Sequence, residues 1–326
     1  MVCLAPLLNN TTGSTHIFLA RTSEGGAPTI TNHEEAASMA TIISIAANLA
    51  LLLTNKGNRV TLADLGIGGA DIHILFGLMN PPLTLTDFLN HRVERLEDIA
   101  QPLPVHSSLT LIPGTGDTLG TANMPYAKKK QLIRHLKNLQ AEVVIVDIGA
   151  GTSYHALDFF LMADHHVTVA TPDPTSVLDL YRFIKLAAIR RVLSSFLTRG
   201  AMADALSDRD FSSVEEVLNV VGQTDETSRG VAETALRTFH PTLILNRLSG
   251  RAHVNVATLK KILQEYIGGD LTLLGEIPDD PAMERAVRGY LPVVDREPTA
   301  PAAVALAAIA DTLLTRIASP ASPPYS

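Results

Sequence analysis

The stretch Val143–Ser153, VVIVDIGAGTS, is an apolar β-branched run that ends on a carboxylate and turns on two glycines. Val143, Val144, Ile145 and Val146 show no polar alternation, which predicts a strand covered on both faces, as in a parallel sheet. Asp147 then falls at the carboxyl end of that strand, where open α/β sheets bind ligands. Gly149 and Gly151 let the backbone come close to a bound phosphate. The simpler alternative is a strand-ending Asp in a glycine turn. A dinucleotide fingerprint is disfavoured, because the third glycine of that motif is missing.

Similar runs lie on either side of this one. Strands are predicted at His16–Ala20, Arg59–Ala63, Leu109–Pro113, Glu142–Asp147, His166–Ala170, Thr242–Asn246 and Leu271–Glu276. Helical patterns fall at Glu34–Asn55, Tyr126–Leu139, Tyr154–Ala163, Ser176–Thr198, Asn255–Ile267 and Ala302–Ile317. Strands alternating with helices predict an α/β fold with a doubly wound, mostly parallel sheet flanked by helices. We expect one domain over residues 15–318, preceded by a variable N-terminus at 1–14 and followed by a disordered Pro/Ser-rich tail at 319–326. The polar, helical segment at about 200–240 is expected to be an insertion on the sheet edge.

Composition narrows the function. The chain has 326 residues, 46% of them hydrophobic, and a formal net charge of −7, so it can bury a large core and does not present a generally basic surface. A single cysteine excludes a disulfide framework and any Cys-built metal site, and fits a reducing compartment. Met1–Asn10 lacks the basic start of a secretory leader. The apolar run Ala40–Leu53 is too short to span a bilayer, and the last helix carries one cation in its final turn, so no membrane-targeting helix is expected. The expected location is the cytoplasm.

Several blocks beyond the first, in one order, point to a known family. They are RVTLADLGIGGADIHILFGL (Arg59–Leu78), PPLTLTDFLN (Pro81–Asn90), LTLIPGTGD (Leu109–Asp117), VATPDPTSVLDLYRFIK (Val169–Lys185), LILNRL (Leu243–Leu248) and LLGEIPDDPAMERAVRGYLPVV (Leu273–Val294). Together with Val143–Asp164 they resemble the MinD/ParA P-loop ATPases, in particular the flagellar-number subgroup called FlhG or FleN. The resemblance covers roughly residues 15 to 317. It implies a P-loop NTPase fold that binds ATP and Mg²⁺ between two subunits. It makes Asp147 similar to the Walker B carboxylate that organises Mg²⁺, and Asp64 similar to the first Asp of a D-x-D element. It makes Asn246 similar to an adenine-reading asparagine, and places Pro278 and Asp280 in a loop that closes over the base. Asn246 could also be a strand-end turn residue, and Pro278 a loop breaker.

Departures from the family pattern matter more for function. The family's phosphate loop reads G-K-G-G-V-G-K-[ST]. Aligned from the strand side, Gly25 and Gly26 keep the turn, but the lysines become Glu24 and Thr29, the last glycine becomes Pro28 and the Mg²⁺-binding hydroxyl becomes Ile30. Aligned from the helix side, Ala36–Ile43 also offers no lysine, and no Lys or Arg lies between Arg21 and Lys56. Thr31 with Glu34, or Asn32 with Glu35, fits a capping box that would use the N–H groups a phosphate needs. Gly66 stands in place of the second Asp of D-x-D, so nothing at that position can help activate water.

The expectation is a degenerate nucleotide site, with ATP and Mg²⁺ held weakly or not at all, on a non-hydrolysing regulatory or scaffolding protein. Its partners would be an intact homologue or a second copy of itself, in cell-pole, flagellar or partitioning organisation. The alternative is a deviant ATPase acting as a nucleotide-dependent dimeric switch, with a cation such as Arg21 substituting for lysine. Lys128, Lys129, Lys130, Arg134 and Lys137 are expected to form one basic helix face, a solvated face first and a DNA contact second. His165–His166 is expected in a surface loop, without metal, and Gly114–Gly120 as a structural turn.

Overall fold

Strand period explains the core. In β1 (Thr15–Arg21), Ile17 and Leu19 face one side of the sheet and Phe18 and Ala20 the other, all of them buried. The same division recurs in β5 (Val143–Ala150), with Val143 and Ile145 on one side and Val144 and Val146 on the other. Such strands need helices on both faces, and the computed structural model has them. It describes residues 13–21, 45–66, 71–103, 106–114, 124–196, 206, 209–224, 226–249, 256–267 and 270–318.

The remaining strands are β2 (Val60–Asp64), β3 (Gln101–Leu103), β4 (His106–Ile112), β6 (His165–Ala170), β7 (Thr242–Leu248) and β8 (Thr272–Pro278). Their order is β3-β4-β2-β5-β1-β6-β7-β8, parallel throughout except for the β3–β4 pair. One face is covered by α2 (Leu85–Leu89), α3 (Tyr126–Lys137), α4 (Tyr154–Leu161), α5 (Pro174–Ser194), α6 (Val214–Thr224), α7 (Glu226–Arg237) and α8 (Val256–Ile267). The other face is covered by α1 (described over Ile45–Asn55), α9 (Pro281–Arg288), α10 (Val293–Arg296) and α11 (Pro301–Ala318). The doubly wound sheet expected from the sequence is the fold observed.

Three expectations need correction. The antiparallel edge strand β3 was not anticipated, because three residues with a central proline carry no strand signal. The segment at about 200–240 does not sit on the sheet edge where it is described. Val217 and Val221 of α6 and Ala232 and Leu236 of α7 are buried, at helical spacing, and the two helices pack on α5. His166 lies in β6, as the predicted strand His166–Ala170 has it, but it is buried and not on a surface loop, between the rings of Phe160 and Phe239 at 5.1 and 5.3 Å. Burial pushes its imidazole down to about 3, so it is a neutral core histidine.

By length and apolarity α11 could cross a membrane, but its Ala302, Leu306, Ile309 and Leu313 are buried and it packs on β8. A Cβ at Gly275 of β8 would lie 2.5 Å from Ile309 Cγ1. Gly275→Ala is therefore expected to cost about 1–3 kcal/mol by overpacking. Urea denaturation would read this as a lower midpoint at unchanged slope, and an unchanged midpoint would refute the close approach.

Candidate functional site

The carboxyl edge of the sheet gathers the residues singled out from the sequence. The β2–β5 register puts Asp64 directly beside Asp147, both 1% exposed. Asp64 accepts hydrogen bonds from the backbone N–H of Gly66 (2.9 Å) and of Ile72 (3.2 Å). Asp147 Oδ1 accepts from the N–H of Gly149 (2.9 Å) and lies 3.1 Å from Arg21 Nη2. Burial, and then the charge of Asp147, push the Asp64 carboxyl up to about 7, against the pull of its two N–H donors and Arg21. Two buried carboxyl groups thus lie side by side, and Arg21 is ion-paired with one of them, Asp147.

Arg21 is the last residue of β1, where the β1–β5 register slips between Leu19 and Arg21. Its side chain is 11% exposed, and Nε is buried with no hydrogen-bond partner among the described residues. Gly149 and Gly151 adopt φ of 74° and 112°, left-handed values that glycine takes without steric cost. Beside them opens a cleft of about 370 Å³, lined by Arg21, Gly151 and Thr152 and, from α5, by Arg182, Phe183 and Lys185. The cations of this cleft come from two places in the sequence. The stretch between Arg21 and Lys56 has none, but α5 supplies two from more than a hundred residues further along the chain. Spacing on α5 places Arg182 and Lys185 one turn apart, although nothing in the sequence ties that turn to Arg21.

The donor set does not fit Mg²⁺, which demands near-octahedral oxygen ligands. Asp147 Oδ1 is ion-paired with Arg21 and accepts from Gly149 N–H, and both oxygens of Asp64 accept from backbone, so among the described residues these two carboxylates leave a cation one oxygen, Asp147 Oδ2. Among the described residues no group of three or more His, Cys, Asp or Glu converges. Gly25 and Gly26 lie outside the described residues.

The base end of the site is different. Asn246, 1% exposed near the end of β7, has neither amide oxygen nor amide nitrogen hydrogen-bonded among the described residues. A buried primary amide left open on both atoms is costly, and it fits a purine edge that offers one donor and one acceptor. The local backbone is unusual here. Arg247 has φ of 57°, and the β7–β8 register slips between Leu245 and Leu248 before Leu248 pairs with Pro278. Asn246 and Pro278 therefore share one edge. Asp280 does a different job, accepting from Ala282 N–H (2.9 Å) and Ala302 N–H (3.0 Å) and so holding the starts of α9 and α11.

The expected basic face is divided. Lys129 is buried in an ion pair with Asp158, and Lys137 is buried beside Asp164, 3.9 Å away. Of the five cations expected there, only Lys130 and Arg134 are fully exposed, with Lys128 half-buried. That leaves too little for a DNA-binding face.

Comparison with known proteins agrees with this fold. Residues 43–193 match the family described as ParA: NUBPL iron-transfer P-loop NTPase. The chain is 24% identical over 269 residues to the antiactivator FleN of Pseudomonas aeruginosa, covering 82% of this chain and 79% of that protein. The septum site-determining protein MinD from Pyrococcus horikoshii, solved with Mg-ADP, superposes with a TM-score of 0.60 at 19% identity, covering 94% of this chain and 100% of that one. The MinC:MinD complex of Aquifex aeolicus gives 0.59 at 18% identity, covering 92% of this chain and 96% of that one. Residues 43–193 thus carry the ParA-family P-loop NTPase pattern, and the chain has the fold of the MinD/ParA P-loop ATPases.

Proposed function

We propose that this protein is a non-hydrolysing regulator of the FleN-like kind, which holds a purine nucleotide at Asn246 as a structural signal and acts through protein contacts in the cytoplasm. One observation carries the reading: Arg21 lies on Asp147, the carboxylate that would otherwise organise Mg²⁺. Gly66 supports it, because at the second D-x-D position it offers only a backbone N–H, already given to Asp64. Without a metal clamp or a group to orient water, the transition state for phosphoryl transfer loses its main electrostatic support. The relatives favour regulation, since FleN is described as an antiactivator and MinD is found in complex with MinC. The partner here would be an intact homologue or a second copy of this chain, in flagellar or division-site placement.

Within this reading Asn246 orients the base and excludes analogues that lack the matching donor and acceptor. Mg²⁺, where a family site holds it, neutralises phosphate charge; in this chain Arg21 supplies a positive charge at Asp147 Oδ1. Phosphate release from ATP by the purified full chain should stay at the uncatalysed background, while calorimetry detects ATP or ADP binding that Asn246→Ala weakens about tenfold or more. Turnover that survives purification and collapses in Asp147→Ala would overturn the proposal in favour of a deviant ATPase.

A further inference from the structure

We propose that the cleft over Gly151 and Thr152 is a metal-free polyphosphate site, in which Arg21, Arg182 and Lys185 take the place of a divalent cation. This deepens the nucleotide reading by assigning its phosphate end, and it can be tested without a base.

The geometry comes first. The cleft is concave and of a size suited to a small ligand, at about 370 Å³. Gly151 lines the cleft, and a Cβ placed there would meet none of the described residues within 4 Å, so its backbone is one that an anion can approach closely. Arg21 is fixed from behind by Asp147 at 3.1 Å, which spares it most of the entropy of orienting a long side chain. Its Nε is buried with no hydrogen-bond partner among the described residues, while the residue lines the cleft.

Charge comes second. Arg182 is exposed and ion-paired with Asp179 on its own helix at 3.3 Å, a surface pair of little strength that a multivalent anion can outcompete. Lys185 sits over the Tyr181 ring at 5.8 Å, also on the lining of the cleft. Three cations face one carboxylate, Asp179, across this space, with the charge of Asp147 already engaged by Arg21. The apolar walls of Phe183 and Leu186 strengthen the attraction by excluding water. Cations converging from β1 and from α5 match a tetrahedral group with several oxygens. A lone carboxylate would be satisfied by a single guanidinium.

The sign of the metal effect separates this site from a Mg²⁺-dependent one. Free pyrophosphate offers its full charge to the three cations. Bound to Mg²⁺ it has lost much of that charge, and so offers less to the three cations.

Isothermal titration of the full chain with sodium pyrophosphate, in EDTA and in excess Mg²⁺ at matched ionic strength, tests this directly. The expected result is saturable one-to-one binding in EDTA, weakened by Mg²⁺. Arg182→Ala and Lys185→Ala should each weaken it about tenfold, and both lie on the exposed side of α5, where folding is spared. Asn246→Ala should leave pyrophosphate binding intact while weakening ATP. No binding in EDTA, binding that requires Mg²⁺, or binding indifferent to both α5 substitutions would overturn the assignment. ATP turnover together with metal-free pyrophosphate binding would sink the non-hydrolysing reading and leave this one standing.

Discussion

Asp158→Ala is expected to destabilise the chain by about 3–5 kcal/mol, because it strands two buried cations. Asp158 on α4 is 2% exposed and bridges Lys129 of α3 and Arg190 of α5, accepting from Lys129 Nζ and, at 2.7 Å, from Arg190 Nε. One carboxylate serves two cations, so the cluster is asymmetric. Removing the anion leaves like charges facing each other in a poorly solvated space. Removing one cation leaves a matched pair, and Lys129→Met should cost less than about 1.5 kcal/mol, since its volume is nearly kept. Urea denaturation of both variants would decide. A loss below about 1 kcal/mol for Asp158→Ala would show that water reaches the cluster. The same cluster ties α4, which follows the Gly149–Gly151 turn, to two neighbouring helices, so it also holds the floor of the phosphate cleft in place.

The second large effect depends on pH. The folded Asp64 carboxyl titrates near 7, above the 3.8 of an ordinary aspartate. Between those values the folded chain keeps the proton and the unfolded chain has lost it. The contribution of this group is fully present below about pH 4 and is lost as pH rises through about 7. The groups facing Asp64 are the Asp147 carboxylate, the Arg21 guanidinium and the N–H groups of Gly66 and Ile72. Asp64→Asn cannot ionise, so the stability difference, variant minus parent, should move in the variant's favour by about 2–4 kcal/mol between pH 4.5 and 7.5. Denaturant midpoints at the two pH values would measure it. A flat difference would mean that Arg21 already compensates both carboxylates.

Residues differ in how openly the sequence declares them. Val143–Val146 announced a central strand because β-branched residues covered on both faces leave no polar interruption, and Asp147 was placed at the sheet edge by that run alone. Asn246 was found through family resemblance, and the structure adds the reason it matters, a buried amide with both ends open among the described residues. Arg21 is visible as the last cation before a long stretch without Lys or Arg, yet its pairing with Asp147 joins two strands far apart in the sequence and leaves no local pattern. Lys129 and Lys137 were misplaced for a different reason. With Leu132, Ile133 and Leu136 they occupy the apolar stripe of α3, so their helical spacing already put them inside. Reading charge before period sent them to the surface. Asp280 was assigned to a ligand when its partners are the first N–H groups of two helices, a role that only the closing of α9 against α11 reveals.

The short antiparallel strand at the rim of the sheet carries a consequence for higher-order assembly. Pro102 sits at the centre of β3 and has no N–H to offer outward, and three residues are too few to template another strand. On that side the sheet is sealed against runaway edge-to-edge growth into filaments, and a lasting union with another molecule there must be made by side chains.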